Sequence, residues 1–357
     1  MGVSTTRVVI ISLFLILGMV MAGLLMQPNG SLEAYDVKES DFPDNGTTED
    51  KLGFLLNYAI LAPSSYNSQP WKFNVSEDEI RLHGDETRWL QVADADKREY
   101  YMSLGCAIEN LVIAAEHFGY TCQTTYFPGE VGLVAVVKFA PSIQAIPDPW
   151  LFGAIQSQKS NDGPYLDRVI PDEDLEKLQN QFKDQNIQIH FISDSEIKTG
   201  FRDLVARTDQ IQFADVNYRS ELGRWLGRGM MGPIGVQALI DQMFVVFLDA
   251  APEQIRKDIE LVNSTPALGF VTTKENDRKS MVLAGQAFER LWLAATAFGL
   301  SVHPMGQALE VPETKAELSR LLAPFSGNMQ QVFLLGYAKS EKERTMHRPL
   351  EEVMIMK

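Results

Sequence analysis

The chain contains an internal repeat at an offset of 180 residues. Gly105–Gly119 reads GCAIENLVIAAEHFG and Gly285–Gly299 reads GQAFERLWLAATAFG, with eight identical positions in fifteen. This offset is too long for a solenoid, whose repeats are about 20 to 50 residues long. We therefore predict two related halves that replace the subunits of a homodimer, so that one chain acts as a monomeric pseudo-dimer. Ligand sites are then expected between the halves.

Two amphipathic helices that converged on one core pattern are the alternative explanation of the repeat. The shared glutamates, Glu109 and Glu289, and the paired glycines exceed what core packing requires. Duplication is therefore the favoured interpretation.

The acidic composition excludes one class of partner. The chain contains 47 Asp and Glu against 32 Lys and Arg, a formal net charge of −15. Because nucleic-acid binding needs clustered cations to neutralise phosphates, we expect no nucleic-acid partner. The five histidines show no ligand spacing, so no metal site is expected. A helix would separate Cys106 from the region of Cys122 by roughly 18 Å, so we expect no disulfide between them.

An apolar stretch lies near the N-terminus. Residues 8–26 carry no charge and are long enough to cross a hydrocarbon core of ~30 Å. We predict an uncleaved transmembrane anchor in residues 1–26, in contact with the lipid bilayer through residues 8–26, and a flexible tether in residues 27–50. A cleaved signal peptide is the alternative, although its apolar region is usually only ~7 to 15 residues. Arg7 before the stretch and acidic residues after it predict a single-pass protein whose globular part lies outside the cytoplasm.

Beyond the tether, the periodicity predicts helices that alternate with strands. The predicted helices cover residues 51–61, 103–118, 172–182, 218–226 and 282–298. The predicted strands include residues 187–193, residues 267–272 and the aliphatic runs that begin at Val131 and Gln331. A Pro-rich connection over 141–149 separates a first half, residues 51–149, from a second half, residues 150–357. The pattern predicts an α+β fold with mixed sheets flanked by helices.

One short motif stands out between the first helix and the first strand. Ala62–Trp71 reads APSSYNSQPW, which supplies two hydroxyls, two carboxamides and a proline-fixed turn in a short space. Such a set of donors and acceptors suits a heterocycle that carries both kinds of group along one edge.

The motif resembles the A-P-S-x-x-N-x-Q-P-W turn of the nitroreductase superfamily of flavin enzymes. The repeat is similar to the central dimerisation helix of that family. Further strings resemble its Acg-like, double-length branch, in which one chain contains both halves of the usual dimer: NDGPYLDRVIP from Asn161, ELGRWL from Glu221, the segment from Ala284 and HRPLEEV from His347. The resemblance covers roughly residues 50 to 357 and implies a nitroreductase-like fold with FMN as cofactor.

The resemblance also implies a set of cofactor-binding residues. The first half would clamp the flavin ring with Pro63, Ser64, Ser65, Asn67 and Gln69. A loop of the second half, Pro304, Met305 and Gly306, would cover the ring and aim a backbone N–H at its N5 atom. Lys159, Ser160, Asn161 and Arg348 would hold the phosphate. The family has R-x-T-N-R where this chain has Gln158–Asp162, so both expected arginines are missing there.

These residues lead to an expected function. The clamp motif occurs once, and the segment 180 residues later lacks its residues, so we expect one flavin per chain. We predict a membrane-anchored FMN-dependent oxidoreductase that transfers a hydride or electrons by a ping-pong mechanism between a small-molecule donor and an unknown acceptor. Since the flavin performs the chemistry, no catalytic side chain is expected. The alternatives are a protein that binds or stores FMN without turnover, which the missing arginines favour, and a scaffold that keeps only the fold.

Overall fold

The structure is a computed structural model that describes Gly18 and residues 30–142, 149–323, 325–339 and 344–355. The predicted membrane-contacting stretch, residues 8–26, lies outside the described residues except for Gly18. Residues 31–42, which belong to the predicted tether, contact the folded body. Ser31 pairs with His347, and the ring of Phe42 stacks on that of Phe118 at 4.4 Å between centroids.

The predicted membrane localisation needs a correction. Within the described ranges, no helix combines the length and the apolar composition that crossing a bilayer requires. The two central helices have 20 residues each, but both carry charged side chains along their length. Because ionised groups are costly in hydrocarbon, neither helix is a membrane span. The prediction of a single-pass protein with its globular part outside the cytoplasm is therefore wrong for the described part of the chain.

Within the described residues, eight strands form two sheets of four with the same order. The first sheet, β1-β2-β4-β3, contains β1 (Trp71–Ser76), β2 (Glu79–Gly84), β3 (Tyr120–Tyr126) and β4 (Leu133–Pro141). The second, β5-β6-β8-β7, contains β5 (Ile187–Ile192), β6 (Ala267–Thr273), β7 (Ser301–Pro304) and β8 (Asn328–Gly336). All pairs within the sheets are antiparallel. Isolated parallel bridges, Phe73 to Met354 and Ser160 to Val302, extend their edges. The predicted α+β class is confirmed, but the strand pairs are antiparallel where mixed sheets were predicted.

The helices surround these sheets. In chain order they are α1 (Thr48–Ala59), α2 (Arg98–His117), α3 (Pro149–Ile155), α4 (Asp172–Gln179), α5 (Ser195–Ala214), α6 (Val216–Gly227), α7 (Val236–Phe247), α8 (Ala251–Ser264), α9 (Arg278–Ala297), α10 (Pro312–Leu321) and α11 (Leu350–Val353).

The repeat forms the central helix pair, α2 and α9. Each helix follows the second strand of its own sheet and packs on the other helix across the middle of the molecule. A Cβ atom added at Gly105 would overlap the carbonyl oxygen of Val282, and one added at Gly285 would overlap that of Met102. The last glycines of the two copies, Gly119 and Gly299, have φ of 80° and 72° and lie just after the helix ends. The paired glycines thus allow a backbone-to-backbone contact and then stop both helices.

The two halves differ mainly by an insertion. A short turn joins β1 to β2 in the first half, whereas residues 193–266 separate β5 from β6 in the second. This insertion contains α5 to α8. Its helices extend over one end of the interface between the halves, and α5 and α8 pack against each other. The insertion therefore covers part of the interface with helices that have no counterpart in the first half.

Candidate functional site

A cavity of about 440 Å³ lies between the two halves and the insertion. Pro63–Asn67 form one side, and the central helices α2 and α9 form the floor. The predicted cofactor-binding residues on its wall are Pro63, Ser64, Ser65, Asn67, Lys159, Ser160, Pro304 and Gly306. Residues far apart in the sequence, from 63 to 306, therefore meet at one site.

The other four predicted residues do not line this cavity. Gln69 and Met305 are fully buried, and Asn161 and Arg348 are 5% exposed. Asn161 turns its side chain to Gly163, and its backbone N–H donates to the carbonyl of Val302 at 3.0 Å. These residues support the cavity wall from behind.

The clamp loop adopts an unusual backbone shape. Tyr66, Asn67 and Gln69 have φ of 51°, 49° and 49°, in the left-handed region that non-glycine residues seldom adopt. Hydrogen bonds hold this shape, because the Gln69 N–H donates to Ser64 Oγ at 2.9 Å and the Tyr66 hydroxyl meets that of Tyr218 at 3.0 Å. The loop is thus pinned both to itself and to the insertion.

Asn67 connects three separate parts of the chain. Its Nδ2 donates to the carbonyl oxygens of Met230 and Met346, both at 2.8 Å, and its Oδ1 accepts from Gln69 Nε2 at 3.0 Å. The side chain of Asn67, which we predicted to contact the flavin, therefore holds the clamp loop, the insertion and the C-terminal segment together.

A buried ion pair lies under the loop. Ser65 donates a hydrogen bond to Glu99, and Arg98 Nη2 pairs with the other oxygen of Glu99 at 2.7 Å. A Cβ added at Gly306 would lie 2.9 Å from that same Glu99 oxygen. Glu99 thus bonds the clamp loop and lies close to Gly306 of the second half.

The loop at Pro304–Gly306 has one residue able to supply the expected N–H. Proline has no N–H, and the N–H of Met305 donates to the carbonyl of Val332 at 2.9 Å. Gly306 lines the cavity and remains as the residue of the three whose N–H can serve there.

Arg348 does not face the cavity. Its guanidinium donates to the carbonyl of Gln69 at 3.1 Å and lies 3.8 Å from Asp85 and 3.6 Å from Glu352. Its own backbone N–H donates to Gln69 Oε1 at 2.7 Å. The side chain that we expected at the phosphate instead fastens the C-terminal segment to the first half, and Lys159 is the predicted phosphate cation that lines the cavity.

Two buried ring nitrogens on the wall were not predicted from the sequence. Trp292 is 3% exposed and its Nε1 has no hydrogen-bond partner, and the same is true of Nδ1 of His347, which is 4% exposed. Burial lowers the pKa of His347 to about 4, so its ring is neutral at neutral pH. The repeat contained one signal for Trp292, because the corresponding residue of the first copy is the much smaller Val112.

Carboxyl groups form another part of the cavity wall. Asp209 lies on α5 and Asp258 on α8, and both side chains are at most 3% exposed. Burial, together with the neighbouring Asp258, raises the pKa of Asp209 to about 8. The pKa of Glu310 is raised well above its usual value, chiefly by burial and then by Glu99. Local spacing in the sequence held no signal for this wall, because its members come from three separate elements.

Several known proteins are similar to this chain in sequence. A candidate NAD(P)H nitroreductase of Mycobacterium tuberculosis is 24% identical over 320 residues, which cover 87% of this chain and 91% of the relative. The protein Acg of the same organism is 23% identical and covers 87% of this chain and 97% of its own length. PigM of Serratia sp., also named as an NAD(P)H nitroreductase, is 22% identical over 77% of this chain and 85% of the relative. No family model matches the chain.

Solved structures show a partial likeness. A BluB-like flavoprotein from Clostridium difficile has a TM-score of 0.41 at 17% identity and covers 58% of this chain and 98% of its own. A nitroreductase with bound FMN from Bacteroides fragilis has a TM-score of 0.35 at 18% identity and covers 55% of this chain and 94% of its own. The chain is thus similar in sequence, over most of its length, to proteins named as nitroreductases.

Proposed function

We propose that this protein is an oxidoreductase of the nitroreductase type that holds one FMN per chain in the cavity between its halves. The observation that carries the proposal is the convergence of the clamp loop, Lys159, Ser160 and Gly306 on one cavity. The relatives named as nitroreductases, which match 77 to 87% of the chain, support the same class of activity.

The residues present fit such a cofactor. Pro63–Asn67 offer a rigid side wall for a flat ring, and Trp292 has a buried N–H that lacks a protein acceptor. Lys159 and Ser160 would hold the phosphate, because an ammonium group and a hydroxyl both donate to phosphate oxygens. The clamp motif occurs once in the chain, which favours a single site.

The protein would supply binding and orientation rather than acid–base chemistry. Bound FMN supplies hydride transfer between a donor and an acceptor. The Gly306 N–H would stabilise negative charge on the ring edge next to it, as a preorganised dipole does. The names of the relatives suggest NADH or NADPH as the electron donor, and the acceptor would be a second small molecule.

A comparison of FMN with riboflavin tests whether Lys159 binds the phosphate of the flavin. Purified full-length protein is titrated with FMN and with riboflavin, which lacks the phosphate. We expect Lys159→Ala to weaken FMN binding about 10- to 100-fold, because a hydrogen bond to a charged group contributes about 1.5–3 kcal/mol. Riboflavin binding should stay unchanged. Lys257→Gln, at an exposed cation on α8, is the control.

Two other results would contradict these assignments. A protein that takes up neither flavin overturns the proposed function. Equal losses of FMN and riboflavin affinity in the Lys159 variant would remove this residue from the phosphate site.

Storage of FMN without turnover is the second candidate, and the placement of Arg348 favours it. This arginine binds Gln69, Asp85 and Glu352 instead of facing the cavity, which leaves a reduced phosphate grip. Anaerobic mixing of the flavin-loaded protein with NADH or NADPH separates the two. Bleaching of the flavin by either nucleotide supports the oxidoreductase, whereas bleaching by dithionite alone supports storage.

A further inference from the structure

One end of the cavity is lined by acidic and amide side chains that are not among the predicted flavin-binding residues. Asp209 on α5 and Asp258 on α8 both line this end, and Asp258 contributes, after burial, to the raised pKa of Asp209. Gln254 Nε2 donates to both oxygens of Asp258 at 3.1 Å, and Gln307 Nε2 donates to one of them at 3.0 Å. We call Asp209 and Asp258 the acidic pair.

Two buried oxygen atoms at this end lack hydrogen-bond partners. Asp209 Oδ2 and Gln212 Oε1 are buried without a hydrogen-bond partner, and their side chains are 2% and 5% exposed. Gln212 donates with its other amide atom to Glu310 at 2.6 Å, so that its carbonyl oxygen is left over. The two residues lie three positions apart on α5, hence on one face, and both line the cavity. A buried acceptor without a donor is costly, which favours a ligand that brings N–H groups.

The charge around the acidic pair favours a cation over a neutral donor. Among the described cavity residues, carboxyl groups predominate at this end, and the nearby guanidinium of Arg98 is already paired with Glu99. The titratable and charged groups that face this end from the surrounding elements are His303 on β7, Glu310 after the 3₁₀ turn Gln307–Leu309, Glu99 and Arg98 on α2, Tyr218 on α6 and Tyr66 on the clamp loop.

We propose that the acidic pair binds an organic cation with N–H donors, such as an amidinium, guanidinium or primary ammonium group. An amidinium presents two parallel N–H groups, which match the unpartnered oxygens of Asp209 and Gln212. Phe213, Tyr218 and Leu222 also line the cavity and would contact an apolar or aromatic body attached to that cation. The binding of this cation does not rest on the proposed function.

Proton release accompanies this binding. Burial keeps a proton on the acidic pair in the free protein up to a pH of about 8. A cation favours the ionised pair and displaces that proton, so that affinity rises with pH between 6 and 8. For one proton released, the change is about tenfold per pH unit.

The probe is benzamidinium, with neutral benzamide as its isostere, titrated by calorimetry into protein prepared without FMN and into protein loaded with FMN. We expect benzamidinium to bind at least tenfold more tightly than benzamide at pH 8, with proton release visible as a dependence of the heat on the buffer. Asp209→Asn should abolish this preference. Asp203→Asn, at an exposed carboxylate on the same helix, should retain it.

The variant is expected to fold, because Asn removes a buried carboxyl group without changing the shape of the side chain. Thermal melting verifies this. If Asp209→Asn does not fold, the pH dependence and proton release of the wild-type protein decide the question.

Equal binding of the two probes, or benzamidinium affinity that is independent of pH, overturns the proposal. Uptake of FMN without benzamidinium binding overturns the cation site and leaves the proposed function standing. Benzamidinium binding in a protein that never takes up FMN does the reverse.

Discussion

Asn67 lines the cavity and also holds the site together through contacts with other parts of the chain. Its amide satisfies the carbonyls of Met230 and Met346, which come from the insertion and the C-terminal segment. The residue itself has positive φ, which asparagine tolerates better than most residues. The sequence identified Asn67 as important through the family motif, but the role visible in the structure is that of a positioning residue.

Replacing Asn67 should therefore affect both stability and the cavity. Asn67→Ala leaves two carbonyl oxygens without their donor, and we expect a loss of about 1–3 kcal/mol in the free energy of unfolding. Urea titration measures this loss, and FMN uptake should fall because the clamp loop is released.

The matched control is Asn57→Ala, since the Asn57 amide donates to the carbonyl of Phe54 within the same helix. If the two variants lose the same stability, the bridging role assigned to Asn67 is wrong.

At the scale of elements, the central helix pair determines how the halves meet. The glycine that opens each repeat copy lies against the backbone of the other helix, three residues before the glycine of the other copy. Glu109 accepts from Gln286 Nε2 at 2.9 Å and pairs with Arg290, whereas Glu289 accepts from Gln158 Nε2 at 2.9 Å. The pseudo-symmetry of the backbone is thus kept while the side-chain partners have diverged.

Adding a methyl group at this contact should force the helices apart. We expect Gly105→Ala and Gly285→Ala each to destabilise the protein by about 1–3 kcal/mol, the usual cost of overpacking. Gly53→Ala is the control, because a Cβ there meets no atom within 4 Å and alanine favours the helix by up to about 1 kcal/mol. Thermal or urea unfolding gives all three values. A stabilised Gly105 variant would show that the helices do not pack this closely.

At the scale of the whole molecule, buried carboxyl groups link stability to pH. Burial is the main cause that raises the pKa of Asp94, Asp209 and Glu289 to about 8 in each case. In the unfolded chain these groups lose their protons near pH 4. The native state therefore binds more protons than the unfolded state between those values, and its stability falls as pH rises toward 8.

Glu289 allows this link to be measured at a single group. In the wild-type protein, one such proton changes the free energy of unfolding by about 1.4 kcal/mol per pH unit. We expect Glu289→Gln to reduce the decline between pH 6 and 8 by this amount, because glutamine has no proton to lose. Unfolding by urea at several pH values gives the slopes, with Glu253→Gln, at an exposed carboxylate, as control. Unchanged slopes in the Glu289 variant would mean that this group is ionised in the native state.

Much of the fold follows from local patterns in the sequence. The helices at 48–59, 98–117 and 278–297 and the strands at 187–192 and 267–273 lie within a few residues of their predicted positions. Helical and strand periodicity depend on near neighbours, which is why sequence reasoning finds them. The insertion was only partly predicted, because its helices pack against partners that are distant in the chain.

Some features of the candidate site are also visible in the sequence, and others are visible only in the structure. The internal repeat, the paired glycines and the clamp motif are visible in the sequence alone, because repeated spacing and turn chemistry can be read over short stretches. The folded structure was needed to show that Arg348 points away from the cavity, that Asn67 bridges Met230 and Met346, and that Asp209 and Asp258 line the same cavity. The reason is physical: the direction of a side chain and the charge around it depend on residues tens to hundreds of positions away, which meet only when the halves and the insertion pack together.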